Sequence, residues 1–508
     1  MHLNATSSAV SPVSFWKTAL LIFFSVLLLA LPQAILLPLL DRDEPRFAEA
    51  SREMLQSGNY IVPAFNHEPR YAKPPLIYWC QTLCYGLFGE NEFAARFPSL
   101  LATAGTALLL FMWGFRLGDC RIGIIAALAY SFCFQTMQQG RVATADAALI
   151  FFMTLTGYTG WKLLHHEPPP KDAPPPHSVF RTGSTLRAWT FRLVVALAAG
   201  FLAKGPEAWL PVVALLVYAR TWRARAFFFG WFLAGAALVC LWAIPAYIAT
   251  NGDYWRIGLG ENVFHRMISP MQSHGASSLG GYLLSVPLYY PLLFWLSALP
   301  LSPLLITHGK KLFGAWRADS VDFYFLFNAG IIFLVFSLMA TKLPSYTLPA
   351  FPFLVLFFAR RWVMVGLSPR LPVRLAAGMG IVLAAVAAVG ISPALAAQIT
   401  PSPVKVLVNE AKDDLTTATK FACVDFQEPN TVWEMRRVTK SYGETISKEE
   451  VVSYLLRPGS RAVILTTSLW RQCASDSAGL PAWKTYEARG FNAAKLSRID
   501  LTLVVKGS

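Results

Sequence analysis

Residues 15–49 read FWKTALLIFFSVLLLALPQAILLPLLDRDEPRFAE, an apolar run of twenty-six residues, Phe15 to Leu40, that ends abruptly in alternating carboxylates and arginines. The run is long enough to cross about 30 Å of hydrocarbon as a helix. It has no small-residue cleavage site and passes straight into a charged loop, so it reads as a retained first span rather than a cleaved signal. The rest of the chain repeats the pattern. Of its 508 residues, 55% are hydrophobic, 14% aromatic and 14% charged, and its mean hydropathy is positive, whereas soluble domains carry about a quarter charged residues.

Hydropathy places spans near 15–40, 97–116, 122–140, 143–163, 188–203, 206–219, 227–249, 281–304, 321–340, 345–360 and 375–397, about eleven in all. The shortest, 188–203 and 206–219, are separated by Lys204-Gly205-Pro206, a tight reversal. The formal charge of +15 is not a nucleic-acid signature, because most basic residues sit in short loops between apolar runs. Arginine and lysine collect in alternate loops, around Arg116 and Arg121, Lys162 to Arg187, Arg220 to Arg225, Lys310 to Arg317, and Arg360 to Arg374, which are therefore expected on the cytoplasmic side. Glu167 to His177, rich in proline, reads as an extended linker in this set. The opposite loops and everything beyond about 398 then face outward.

The outer loop 41–96 breaks the charge rule, since it carries Arg42, Arg46, Arg52, Arg70, Lys73 and Arg96, and something anionic must compensate them. Within it, Asp43–Ser57 predicts a helix lying in the interface, with Phe47, Met54 and Leu55 at helical spacing. Leu76–Phe88 predicts a second interfacial helix with Trp79 and Tyr85 at headgroup level. After residue 398 the composition turns soluble. Strands are expected at Val404–Val408, Ala462–Thr466 and Leu501–Val505, and a helix at Lys448–Leu456. The fold class is thus an all-α polytopic membrane domain, residues 1–397, followed by a small soluble α/β domain, residues 398–508. In that domain Cys423 and Cys473 would be either a disulfide or two thiols; the spacing supports both.

Candidate chemistry gathers on the outer face. Asp43 and Arg46 stand directly at the end of the first span, where a carboxylate can act as a base and an adjacent arginine can bind phosphate. A solvated helix start with acidic residues in its first turn explains them equally well. Asp146 is placed about one turn inside a span, where an acid is costly and therefore a functional candidate, the alternative being a helix-start carboxylate that reaches back to water. Lys73, Lys204, Arg256, His265, Arg266 and Lys342 fall on the same face. Glu261 and His265, four apart, would share one face of a helix and make half of a divalent metal site, with His274 as a further candidate; a surface Glu and His in an outer loop fit the spacing as well. No P-loop and no glycine-rich strand-to-helix turn is present, so no nucleotide cofactor is expected.

Read in order, Asp43-Glu44-Pro45-Arg46-Phe47-Ala48-Glu49, Met54-Leu55-Gln56-Ser57-Gly58, Lys73-Pro74-Pro75-Leu76, Gly140-Arg141 with Asp146, Lys204-Gly205, Glu261-Asn262-Val263 and Lys342-Leu343-Pro344-Ser345-Tyr346 resemble the bacterial aminoarabinose transferases and related dolichyl-phosphate-mannose-protein mannosyltransferase-like enzymes of the GT-C superfamily. The motifs cover most of residues 40–360. The resemblance implies a bacterial inner-membrane glycosyltransferase that takes a sugar from a polyprenyl-phosphate-linked donor and gives it, with inversion, to a cell-envelope acceptor such as a lipid A-like glycolipid, a glycan or a protein. It makes Asp43 and Asp146 the catalytic acidic positions, and Arg46, Lys73, Lys342 and Tyr346 the phosphate-handling ones, to which the topology adds Lys204, Arg256 and Arg266. It places His265 near a metal-associated histidine, but Ala72 stands where those enzymes have an acidic residue before the Lys-Pro motif, so a metal would not be held in the same way. From another class, a lipid-linked-sugar transporter would also be polytopic, but its charges would lie near the bilayer midplane rather than at one face.

Overall fold

The computed structural model describes residues 12–39, 43–165, 186–265, 267, 279–314, 316, 319–390, 402–424, 428–475, 481, 483–492 and 497–507. The linker 167–177 and the positions of Arg266 and His274 lie outside them. The helices run α1 (Pro12–Leu36), α2 (Asp43–Ser57), α3 (Leu76–Phe88), α4 (Glu92–Arg116), α5 (Cys120–Ser131), α6 (Phe134–Gln139), α7 (Asp146–Leu164), α8 (Leu186–Lys204), α9 (Leu210–Tyr218) and α10 (Trp222–Ala249). Helices over Leu279–Ser297, Ser302–Leu312, Ser320–Leu338, Phe351–Met364 and Arg370–Gly390 follow.

Among the described residues seven helices are by length and composition able to cross a membrane, or eight if one bent pair counts as a single span, beside the eleven segments that hydropathy marks. The differences have local causes. The expected span 122–140 is interrupted after Ser131, leaving the twelve-residue α5 and the six-residue α6. The expected span 206–219 starts as a 3-10 turn, Pro206–Trp209, so that α9 has nine residues. The run 281–304 bends by 108° between Gly280–Ser297 and Ser302–Leu312.

The chain divides into two compact units. The first comprises Met1–Leu31, Tyr71–Ile77 and Pro98–Ala384. Its core is aromatic: fully buried Trp113 meets Phe325 and Tyr158 at ring distances of 5.2 and 5.3 Å. Small residues let helix backbones approach closely, as at Gly114, where an added Cβ would stand 2.5 Å from the Gly123 backbone.

The second unit comprises Pro32–Arg70, Tyr78–Phe97 and Ala385–Ser508. It joins the C-terminal residues to most of the first outer loop, a grouping that the linear division 1–397 and 398–508 does not contain. A short hairpin, β1 (Ala64–Phe65) with β2 (Glu68–Pro69), follows α2. The C-terminal sheet is built from β3 (Lys420–Cys423), β4 (Gly443–Thr445), β5 (Arg461–Thr466), β6 (Lys484–Asn492) and β7 (Ser497–Lys506) in the order β4-β3-β5-β7-β6. The pairs β3/β4 and β3/β5 are parallel, and β5/β7 and β6/β7 antiparallel. Alternate residues of β5 feed opposite cores, Ala462 and Ile464 on one face, Val463 and Leu465 on the other.

Two strands and the helical segment fall where expected, but Val404–Val408 is helical, within Pro403–Glu410. Ser402 caps that helix by accepting from the Lys405 amide, Pro403 sits in its first turn, and Pro403, Val404, Leu407 and Val408 are buried at helical spacing. No disulfide joins Cys423 to Cys473, because Cys423 belongs to one face of the sheet and Cys473 packs against the core of the other.

Candidate active site

In the first unit, Asp146 opens α7 and Lys204 closes α8. Their side chains pair at 2.5 Å while nearly buried. Each charge stands at the helix end that its sign favours. Thr144 Oγ1 donates to the second Asp146 oxygen at 3.2 Å, and the Lys204 ammonium lies 5.3 Å from the Tyr346 ring. Gly205 takes up a φ of +125° and ψ of −157°, which essentially only glycine adopts, and so turns the chain immediately after Lys204.

The charge of Lys73 also acts on Asp146. Its backbone carbonyl accepts from the Tyr254 hydroxyl at 2.6 Å, and the Tyr254 ring is held edge-on by Tyr71 at 5.4 Å and Trp242 at 5.1 Å. Lys73 and Lys204 both line one cleft, walled by Tyr71, Phe201, Trp242, Tyr254 and Trp255. Two cations in an aromatic-walled cleft suit an amphipathic anion. The aromatic walls are what sequence reasoning missed; the signal was the Tyr254-Trp255 pair just past a long span and Tyr71 two residues before Lys73.

Of the other candidates in this unit, Tyr346 meets Lys204 as above, and Lys342, Arg256, Glu261 and His265 have partners or surroundings of their own. Lys342 is buried and donates to the carbonyls of Phe336, Ser337 and Met339 at the end of the helix Ser320–Leu338, with Tyr282 and Tyr290 rings at 5.7 and 5.8 Å. Burial lowers its pKa. Tyr346 is buried, its ring 5.0 Å from that of Phe336. Arg256 is exposed and pairs with Asp253 at 2.8 Å. Glu261 and His265 are exposed on a π-helical segment, Arg256–His265, not an α-helix. Among the described residues no group of three or more His, Cys, Asp or Glu gathers to hold a metal ion. A separate cavity of about 390 Å³, lined almost entirely by apolar residues including Phe294, Leu301, Leu326, Gly330 and Phe351, opens at the bent helix pair.

In the second unit, Asp43 is the first residue of α2, with its side chain more than half exposed and Arg46 at 3.8 Å. Arg70 donates to the Tyr78 hydroxyl at 3.1 Å and lies over the Phe47 ring, itself stacked on Tyr78. Burial raises the Tyr78 pKa, and Arg70 opposes the rise.

Two arginines of the charge-rule exception are compensated internally. Buried Arg96 holds both Glu44 oxygens at 2.8 Å and donates to the carbonyls of Leu37 and Pro38, tying the end of the first span to the start of α2. Buried Arg52 pairs with Glu49. The polar side of α2 is thus covered by protein. Tyr85 is buried and donates to the Ala48 carbonyl at 2.9 Å.

The family model for dolichyl-phosphate-mannose-protein mannosyltransferase matches residues 15–255. The undecaprenyl phosphate-alpha-4-amino-4-deoxy-L-arabinose arabinosyl transferase of Edwardsiella ictaluri is 31% identical over 358 residues, 68% of this chain and 59% of the relative. That of Pseudomonas aeruginosa strain PAO1 is 31% identical over 64% of this chain and 57% of the relative. The matches therefore span less than two thirds of these relatives. The crystal structure of ArnT from Cupriavidus metallidurans bound to undecaprenyl phosphate superimposes with a TM-score of 0.71 over 97% of both chains at 18% identity, which shows a shared fold. The chain is thus similar to the aminoarabinose transferases in sequence over 68% of its length, and to one of them in fold over 97% of it.

Proposed function

We propose that the protein transfers a glycosyl group from a polyprenyl-phosphate-linked sugar to a lipid A-like glycolipid, glycan or protein at the outer face of the bacterial inner membrane, with its C-terminal domain outside the cytoplasm. The observation that carries this reading is the pairing of Lys73 and Lys204 on one aromatic-walled cleft. A polyprenyl phosphate is already a competent leaving group, so the protein has to neutralise charge developing on phosphate as the sugar departs. Lys73 and Lys204 are the groups for that task. Asp146 holds Lys204 in place.

Inversion follows from direct displacement: an acceptor oxygen bonds to the anomeric carbon from the face opposite the phosphate, whose C–O bond breaks with its electron pair. If the acceptor is a hydroxyl, its proton passes to Asp43, the exposed carboxylate, while Arg46 beside it orients an anionic part of donor or acceptor. An acceptor phosphate is already ionised and needs orientation alone. The apolar cavity at the bent helix pair suits the isoprenoid chain. Glu261 and His265 supply two of the ligands that a divalent ion would need. The relatives are named as transferases, which leaves the transporter reading without support.

The test is transfer by the purified full chain in lipid vesicles from a labelled set of polyprenyl-phosphate sugars. The proposal expects label in an acceptor and competition by unlabelled polyprenyl phosphate. Label movement between leaflets without product would overturn it.

A further inference from the structure

The helix that presents Asp43 and Arg46 at its exposed start is gripped along its opposite side by the C-terminal domain. Glu49, Arg52 and Glu53 of α2 are almost completely buried. Facing them is the helix Pro429–Thr439. From it, Arg436 reaches Glu49, Glu53 at 3.0 Å and Gln56 at 3.1 Å, three residues one helical turn apart. Arg52 answers in the other direction, donating to the Trp433 carbonyl at 2.9 Å with its guanidinium 4.3 Å from the Trp433 ring. Arg436 in turn lies 4.3 Å over Tyr442. Glu53 also accepts from the amides of Asn66 at 2.6 Å and His67 at 3.0 Å, and the Asn66 side chain exchanges two 2.8 Å hydrogen bonds with Gly443 at the start of β4.

Packing apolar residues here would have been at least as stabilising, because burying charged groups carries a large desolvation cost. What a forked guanidinium bonded to three successive turns adds is direction: α2 can neither rotate nor slide by a residue without breaking every bond at once. Asp43 is six residues from Glu49, about 9 Å along the helix. Its position follows from that of the gripped turn.

We propose that Arg436 is a positioning residue for transfer, and that the C-terminal domain acts on the reaction by fixing the rotation and height of α2 through Glu49 and Glu53, and hence the placement of Asp43 and Arg46. The inference rests on the transferase reading. It goes beyond it in giving the C-terminal domain a part in the chemical step.

The test uses full-length protein in lipid vesicles, comparing wild type with Arg436→Met, Arg436→Lys and Arg437→Ala, the last a neighbouring arginine that pairs with Glu92 and Glu434. Kinetics with a polyprenyl-phosphate sugar are read together with hydrogen exchange of the α2 amides. The expected result is a kcat about tenfold or more lower for Arg436→Met, with donor KM within about twofold, faster exchange in α2, partial recovery in Arg436→Lys and no change in Arg437→Ala. If Arg436→Met fails to fold, Arg436→Lys and Glu53→Gln carry the comparison. An unchanged kcat in a variant whose α2 exchanges faster, or a loss confined to donor KM, would overturn the inference and leave the transferase reading intact. A wild type that transfers no sugar overturns both.

Discussion

Lys204 and Asp146 are 58 positions apart in the chain and meet end to end across two helix termini. Removing one partner of such a buried pair leaves an uncompensated charge, at a cost of about 3–5 kcal/mol, whereas removing both with well-packed replacements costs little. Lys204→Met should therefore lower the unfolding midpoint strongly, and Asp146→Leu with Lys204→Met should regain most of it, as followed by thermal unfolding in detergent. Activity should remain low in both, because Lys204 also lines the cleft. Asp146 was legible in the sequence as an acid inside an apolar segment; its cation was named too, but nothing in the spacing joined the two. Arg52 and Arg96 show the opposite case. They stood out as excess positive charge in an outer loop, and their compensation by Glu49 and Glu44 depends on helix faces that composition does not reveal.

The two helices of the first outer loop, Asp43–Ser57 and Leu76–Phe88, have the bounds that the sequence pattern predicts, because proline, glycine and charge punctuate both ends. Their surroundings were not legible, since burial of α2 comes from a helix almost four hundred residues later. That burial has a pH consequence. It pushes the Glu49 carboxyl from 4.5 up to about 7, with Arg52 and Arg436 opposing and Glu53 adding to the rise. The folded protein then keeps a proton that the unfolded chain gives up, so this contribution to stability is complete below the unfolded value and is lost as pH rises through the folded one. Between about pH 5 and about pH 8 the unfolding midpoint of wild type should fall more with rising pH than that of Glu49→Gln. At the bent helix pair, Gly330 lines the large apolar cavity and has open space where a Cβ would go. Gly330→Leu should fit without loss of stability and raise the KM for a long-chain polyprenyl donor severalfold more than for a short-chain one; equal effects on both would remove the cavity from donor binding.

Across the molecule, the membrane character was plain from composition, while hydropathy does not register the breaks after Ser131 and between Ser297 and Ser302. The C-terminal strands at β5 and β7 were visible as short β-branched runs, whereas Val404–Val408 read as a strand because its helix is only eight residues long and its valines mask the cap at Ser402. The alternation of basic loops predicts that the C-terminal domain faces away from the cytoplasm. In a cysteine-free background, a single Ser468→Cys on an exposed position of that domain should react with a membrane-impermeant maleimide in cells whose outer membrane alone is permeabilised. Protection until the inner membrane is opened would reverse the orientation. Whether the exposed carboxylate at the start of α2 takes part in moving a sugar off a polyprenyl phosphate is read from one comparison: transfer of label by purified wild type and Asp43→Asn in lipid, with the labelled product isolated. Wild type should label an acceptor and Asp43→Asn, equally folded, should lose nearly all of that transfer; a variant that transfers as well as wild type would remove Asp43 from the reaction.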